Sequence, residues 1–146
     1  MVEVRRTTSA PAEAVWDVLA DGWRYPSWVV GAARVRAVDV TWPAAGAKLH
    51  HSVGAWPMLR DDVTWVDSVR PGRGLVLCGR ILPLGVARIE FVLEPARDGG
   101  CEIVMREDVA SGPARLLPPP VRAGLIVPRN RETTKRLIYL AERPSR

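Results

Sequence analysis

The sequence predicts an α+β chain: one strand, two short helices, about six further antiparallel strands, then one long helix. Three observations carry this. Ser9 to Gly31 reads as an amphipathic helix followed at once by a tryptophan-rich turn. From Arg34 to Val109 apolar and polar residues mostly alternate between short Gly, Pro or Asp turns. Beyond Pro118-Pro119-Pro120 the periodicity turns helical. Two small helices set against a long meander can close one end of a curved sheet, and a curved sheet can leave a hollow.

The elements follow in order. Val2-Glu3-Val4-Arg5 alternates and is read as a strand. Pro11 suits a first helical position, because its missing N–H costs nothing there. Val15, Val18 and Leu19 form a buried face, with Trp16 at its edge and assigned to the core. Gly22 is expected to end this helix in the left-handed conformation. Pro26 limits the next helix to about a turn and a half, with Trp28 plugging it onto the sheet.

Strands are expected at Arg34–Val38, Lys48–Val53, Val63–Val69, Gly74–Cys78, Val86–Leu93 and Cys101–Val109. Pro71-Gly72 and Asp98-Gly99-Gly100 mark turns between them. Strands joined this closely pair antiparallel. Ser111 to Pro120 is read as a stiff loop outside the sheet, able with the turn near Trp56 to gate a cavity. The final helix is expected from about Val121 to Glu142, with Ile126, Thr133, Leu137 and Leu140 on one face. Pro128 should start or kink it.

Composition narrows the class. The 146 residues fit a single domain spanning 1–146, large enough to bury a core. No apolar run approaches the roughly 20 residues of a bilayer span, and Glu3, Arg5 and Arg6 interrupt any secretory leader. A cytoplasmic location is therefore expected. Cys78 and Cys101 lie in strands and are expected to be reduced, buried thiols. His50 and His51, the only histidines, point to opposite faces of a strand and cannot share a metal. Asp61-Asp62 lacks the further ligands that calcium or magnesium needs. No metal and no cofactor is expected.

The formal charge of +5 is unevenly placed. Residues 1–108 hold 13 basic against 14 acidic side chains, and residues 109–146 hold 8 against 2. The basic stretch is read as a solvated helix face, or as one attracted to an anionic ligand, a membrane surface or an acidic partner. No aromatics interleave with these arginines, so nucleic acid is not an expected partner. Gly-x-Ser-x-Gly, glycine-rich phosphate-loop and dinucleotide motifs are all absent.

The order of elements and several local phrases resemble the START-like superfamily, also called the polyketide cyclase/dehydrase or Bet v 1-like (SRPBCC) group. The matching residues are Ala10-Pro11, Val15-Trp16 with Leu19, Pro26 with Trp28, Glu94-Pro95, Gly99-Gly100, and Asn130 with Leu137. The likeness runs from Val2 to Glu142. It implies a helix-grip fold, in which the curved sheet wraps a long C-terminal helix. It also implies an apolar cavity between helix and sheet that holds a lipid, sterol, polyketide or hormone. The group has no universal catalytic signature, so no catalytic residue is carried over.

Candidate ligand-cavity residues are Trp28, His51, Trp56, Trp65, Glu107 and Asn130. Trp28 is a plug at the sheet mouth or a ligand contact, and Trp56, before Pro57, a mobile gate. Trp65 alternates with Val63, so it is placed inward, as a cavity wall or as plain core packing. His51 shares parity with Leu49 and Val53, which aims it into the hollow as a base or hydrogen-bonding group; the other reading is a satisfied or partly exposed strand histidine. Glu107 follows the parity of Cys101, Ile103 and Met105; buried, it needs a partner such as Arg80 or Arg88. A surface cross-strand pair is the other reading. Asn130 directs its amide inward or caps the turn after Pro128.

The expected function is binding or carriage of a small hydrophobic or amphipathic molecule, by a monomer or homodimer. The alternative is a polyketide cyclase/aromatase-like enzyme, which requires two or more of His51, Glu107, Arg80 and Arg88 to converge. A further alternative is an interaction module that uses the basic C-terminal helix, with weak membrane-surface contact.

Overall fold

A computed structural model describes residues 1–30, 32–53, 57–58, 60–81 and 85–143. Seven strands form one antiparallel sheet: β1 (Val2–Thr8), β2 (Ala32–Val38), β3 (Lys48–Val53), β4 (Arg60–Arg70), β5 (Gly74–Ile81), β6 (Gly85–Pro95) and β7 (Cys101–Ser111). Their order is β1-β7-β6-β5-β4-β3-β2. The first two strands in sequence therefore occupy opposite edges. The segment between them crosses from edge to edge and carries α1 (Ala12–Ala20), a 3₁₀ turn (Gly22–Arg24) and α2 (Tyr25–Trp28). Register shifts at Ala32/Arg34, Val35/Ala37, Val66/Ser68 and Val86/Ala87 are the bulges that bend a sheet.

The long helix α3 (Pro119–Ala141) packs on β1, α1, α2 and β7, which is the helix-grip arrangement. Its inward stripe is Asn130, Thr133, Thr134, Leu137 and Ala141. Below it, Trp28, Phe91, Leu19, Leu49, Leu75, Leu77, Ile103 and Leu137 form the fully buried core. Trp28 stands edge-on to Phe91, with ring centroids 5.6 Å apart, and joins α2 to the sheet beneath α3.

Several local expectations change. Pro11 stands at the cap of α1 rather than inside it. Gly22 is not left-handed: it opens the 3₁₀ turn, where an added Cβ would lie 2.8 Å from Val38 Cγ1. Close packing, not helix termination, demands glycine there. The expected stiff loop is shorter, because β7 runs to Ser111, a 3₁₀ turn follows at Pro113–Leu116, and Pro119 and Pro120 enter α3. Prolines are tolerated in a first helical turn, whose N–H groups have no intrahelical partner. The helix continues through Pro128.

Candidate functional site

A cavity of about 270 Å³ lies between α2, α3 and the inner face of the sheet. Its apolar walls come from Val29 and Ala32 beside α2 and from Leu77, Ala87, Ile89, Phe91 and Met105 on β5, β6 and β7. Trp28, His51, Asn130 and Thr133 also line it. The alternation of the strands explains the chemistry of the wall. In β4 the parity that points inward is Asp62, Thr64 and Val66, and the first two of these line the cavity.

The polar side is a connected group. His51 Nε2 lies 2.8 Å from Thr64 Oγ1, and the Tyr25 hydroxyl lies 3.3 Å from the same oxygen. The Tyr25 ring sits against both His51 and Trp28, at 5.2 Å and 5.3 Å between centroids. Burial pushes the Tyr25 phenol above its ordinary pKa, so it stays protonated. Burial likewise holds the His51 imidazole below its usual value, with Arg36 and His50 adding to that and Asp62 opposing it. A neutral imidazole bonded to Thr64 through Nε2 leaves Nδ1 as a lone donor or acceptor.

That nitrogen is one of four buried side-chain polar atoms without a protein partner among the described residues. The others are Trp28 Nε1 and both amide atoms of Asn130, a side chain with 0% exposure. All three residues line the same cavity. Native interiors rarely leave such atoms unsatisfied, so the cluster marks a place that water or a ligand completes.

A titration tests the electrostatics of His51. Its folded pKa lies below the unfolded value, so the unfolded chain holds more protons as pH falls through about 6.5. Stability should be full above that range and decline below it, in chemical denaturation curves taken from pH 8 to pH 5. His51→Gln should flatten this slope; an unchanged slope would show that His51 is not its source.

Glu107 points inward as the strand parity requires, with 2% exposure, but its partner differs from the expected ones. Arg129 of α3 donates through Nη2 to both carboxylate oxygens, at 2.5 Å and 2.6 Å. Arg80 is exposed and reaches the cavity rim, while Arg88 lies on the outer face, paired with Asp67 at 2.8 Å. Strand-to-strand reasoning missed a helix laid across the sheet. A single guanidinium nitrogen makes this contact, and Arg129 also lines the cavity.

Trp65 is not a cavity wall. It is half-buried on the outer face with Val63, in register with Cys78 of β5. The inward parity of β4 is the more polar one, because part of it faces a hollow rather than packed core. Trp56 lies outside the described residues. The arrangement also includes Tyr25, Arg60, Asp62, Thr64 and Arg129, which the sequence reading did not place in the site. A signal existed for two of them, since Asp62 and Thr64 share the parity of Val66. No cluster of three potential metal ligands occurs among the described residues, and no described helix is long and apolar enough to cross a membrane.

Solved structures share this architecture. A START superfamily protein from Mycobacterium smegmatis aligns with a TM-score of 0.74 and 16% identity, over 97% of this chain and 96% of that one. The di-domain ARO/CYC StfQ of the steffimycin biosynthetic pathway aligns with a TM-score of 0.72 and 14% identity, over 98% of this chain and 45% of StfQ. Ara h 8.0201 aligns with a TM-score of 0.65 and 11% identity, over 97% of each chain. The search of curated proteins gave no match. At these identities the likeness is one of fold, and family membership rests on sequence. The model of the "Polyketide cyclase / dehydrase and lipid transport" family matches residues 1–139, from β1 to Tyr139 in α3, and the chain belongs to that family.

Proposed function

We propose that the protein binds one small amphipathic molecule in the cavity beneath α3. The observation that carries this reading is the set of unpartnered polar atoms on Trp28, His51 and Asn130 in an otherwise largely apolar chamber. Apolar burial supplies the affinity, at roughly 25 cal/mol per Å², and a few fixed polar groups set orientation. The volume of about 270 Å³ falls just below the range of ordinary ligand pockets, roughly 300–1,000 Å³. It suits a compact ring system or single chain better than a two-chain lipid.

Native mass spectrometry of freshly purified protein, with titration of the neutral dye N-phenyl-1-naphthylamine, tests the reading. A retained small molecule or saturable one-to-one dye binding supports it. The absence of both, in protein with an intact far-ultraviolet circular dichroism spectrum, refutes it.

A cyclase/aromatase-type activity is the second reading, favoured by one observation. His51, held neutral by burial, lies with Thr64 and Tyr25 against the cavity and keeps Nδ1 unengaged. A neutral imidazole in that setting is suited to general base chemistry. Glu107 is less available for such a role, since Arg129 occupies both of its oxygens.

A further inference from the structure

We infer that the ligand is polar at both ends: a rigid apolar body with a neutral hydroxyl or carbonyl group at its buried end and a carboxylate at the mouth. This rests on the cavity being a binding site, and it is argued from the different chemistry of the two ends.

The buried end offers Trp28 Nε1, His51 Nδ1 and the Asn130 amide, all without partners. Trp28 is an obligate donor, the amide both donates and accepts, and His51 Nδ1 does one or the other. A hydroxyl answers all three kinds of demand, because its oxygen accepts while its hydrogen is donated. Trp28 N–H and Asn130 Nδ2–H donate to that oxygen, and the hydroxyl donates to Asn130 Oδ1 or His51 Nδ1. A purely hydrocarbon end would leave every one of these atoms unsatisfied. An anion at this depth is disfavoured, because the imidazole is held neutral and burying an unpaired charge is costly.

The mouth has the opposite character. Arg60 opens β4, Arg80 stands near the end of β5, and Arg129 stands one residue before the buried Asn130. All three line the cavity. Several other arginines are paired: Arg36 with Asp61, Arg88 with Asp67, Arg106 with Glu3 and Glu90, Arg122 with Asp108. Arg60 and Arg80 make no ion pair among the described residues, although Asp61 and Asp62 follow Arg60 directly. Asp62 is the acidic side chain lining the cavity, and its Oδ1 is taken by the Val63 N–H. Guanidinium groups at a partly open, low-dielectric rim attract a carboxylate and match its geometry.

Four probes of one shape separate the two ends: 6-hydroxy-2-naphthoic acid, 2-naphthoic acid, 2-naphthol and naphthalene, followed by tryptophan fluorescence and calorimetry. The hydroxy acid should bind at least tenfold more tightly than either singly substituted probe. Arg60→Gln with Arg80→Gln should erase the advantage of the hydroxy acid over 2-naphthol, read as the ratio of the two affinities within that variant. Asn130→Leu should erase its advantage over 2-naphthoic acid, read as the ratio of the two affinities within that variant. Equal binding of all four probes, or a carboxylate advantage that survives loss of Arg60 and Arg80, overturns this inference while leaving the binding function intact. Failure of every probe, naphthalene included, counts against the binding function as well.

Discussion

Replacing Arg129 with methionine is expected to lower the stability of the fold by about 3 kcal/mol, the cost of stranding a buried charge. The carboxylate of Glu107 has 3% exposure and both of its oxygens rest on Arg129 Nη2. Without that nitrogen the carboxylate must take up a proton, draw in water or drag β7 towards solvent. The arginine itself is partly exposed at 41%, so its own desolvation is modest and the loss falls mostly on the glutamate. The companion prediction separates charge from packing. Glu107→Leu combined with Arg129→Met should recover to within about 1 kcal/mol of the parent, because two apolar groups can replace a buried ion pair at little cost. Urea denaturation of the parent, both single variants and the double variant supplies the cycle. Two single-variant losses that simply add would show that Glu107 and Arg129 do not act as a pair.

Asn130→Leu is expected to move stability the other way. The amide is fully buried in α3 and neither of its polar atoms has a protein partner. Leucine removes that desolvation cost, is the better helix former, and can extend into the neighbouring hollow. The ligand-free protein should gain about 1–2 kcal/mol in the same denaturation experiment. A loss instead would mean that ordered water satisfies the amide well enough to make it a structural asset. A gain accompanied by loss of hydroxyl recognition would identify Asn130 as a side chain kept for function at the expense of stability.

The outline of the fold was legible because it depends on patterns that survive without tertiary knowledge. Alternation, turn residues and the change of period after Pro120 were enough for seven strands and a long helix. The inward parity of β3 and β7 was legible for the same reason, since Leu49 and Ile103 set the register that carries His51 and Glu107 inside. Trp65 was misplaced by that same rule. Burying the most apolar parity is right for a packed core, but β4 turns Asp62 and Thr64 towards a cavity and leaves Trp65 on the outer face. Arg129 was beyond reach for a different reason. Its pairing with Glu107 depends on where α3 crosses β7, and no local pattern encodes that crossing. Tyr25 was likewise brought to His51 only by the packing of α2 across the sheet.

The uneven seating of α3 bears on how a ligand of the proposed kind would enter and leave the chamber. From Pro119 to Arg129 no residue of the helix is buried, whereas Asn130, Thr133, Thr134, Leu137 and Ala141 are. Pro128 stands near that boundary and provides no N–H for the carbonyl of Gly124. The turns ahead of Pro128 can thus fray or swing outward at the cost of few apolar contacts and the Arg122–Asp108 pair, while Arg129, held by Glu107, and the trailing turns stay in place. For a ligand of the proposed kind, entry and exit would then be local events, on a clock separate from that of global unfolding, and tightness of grip would not come at the cost of speed of release.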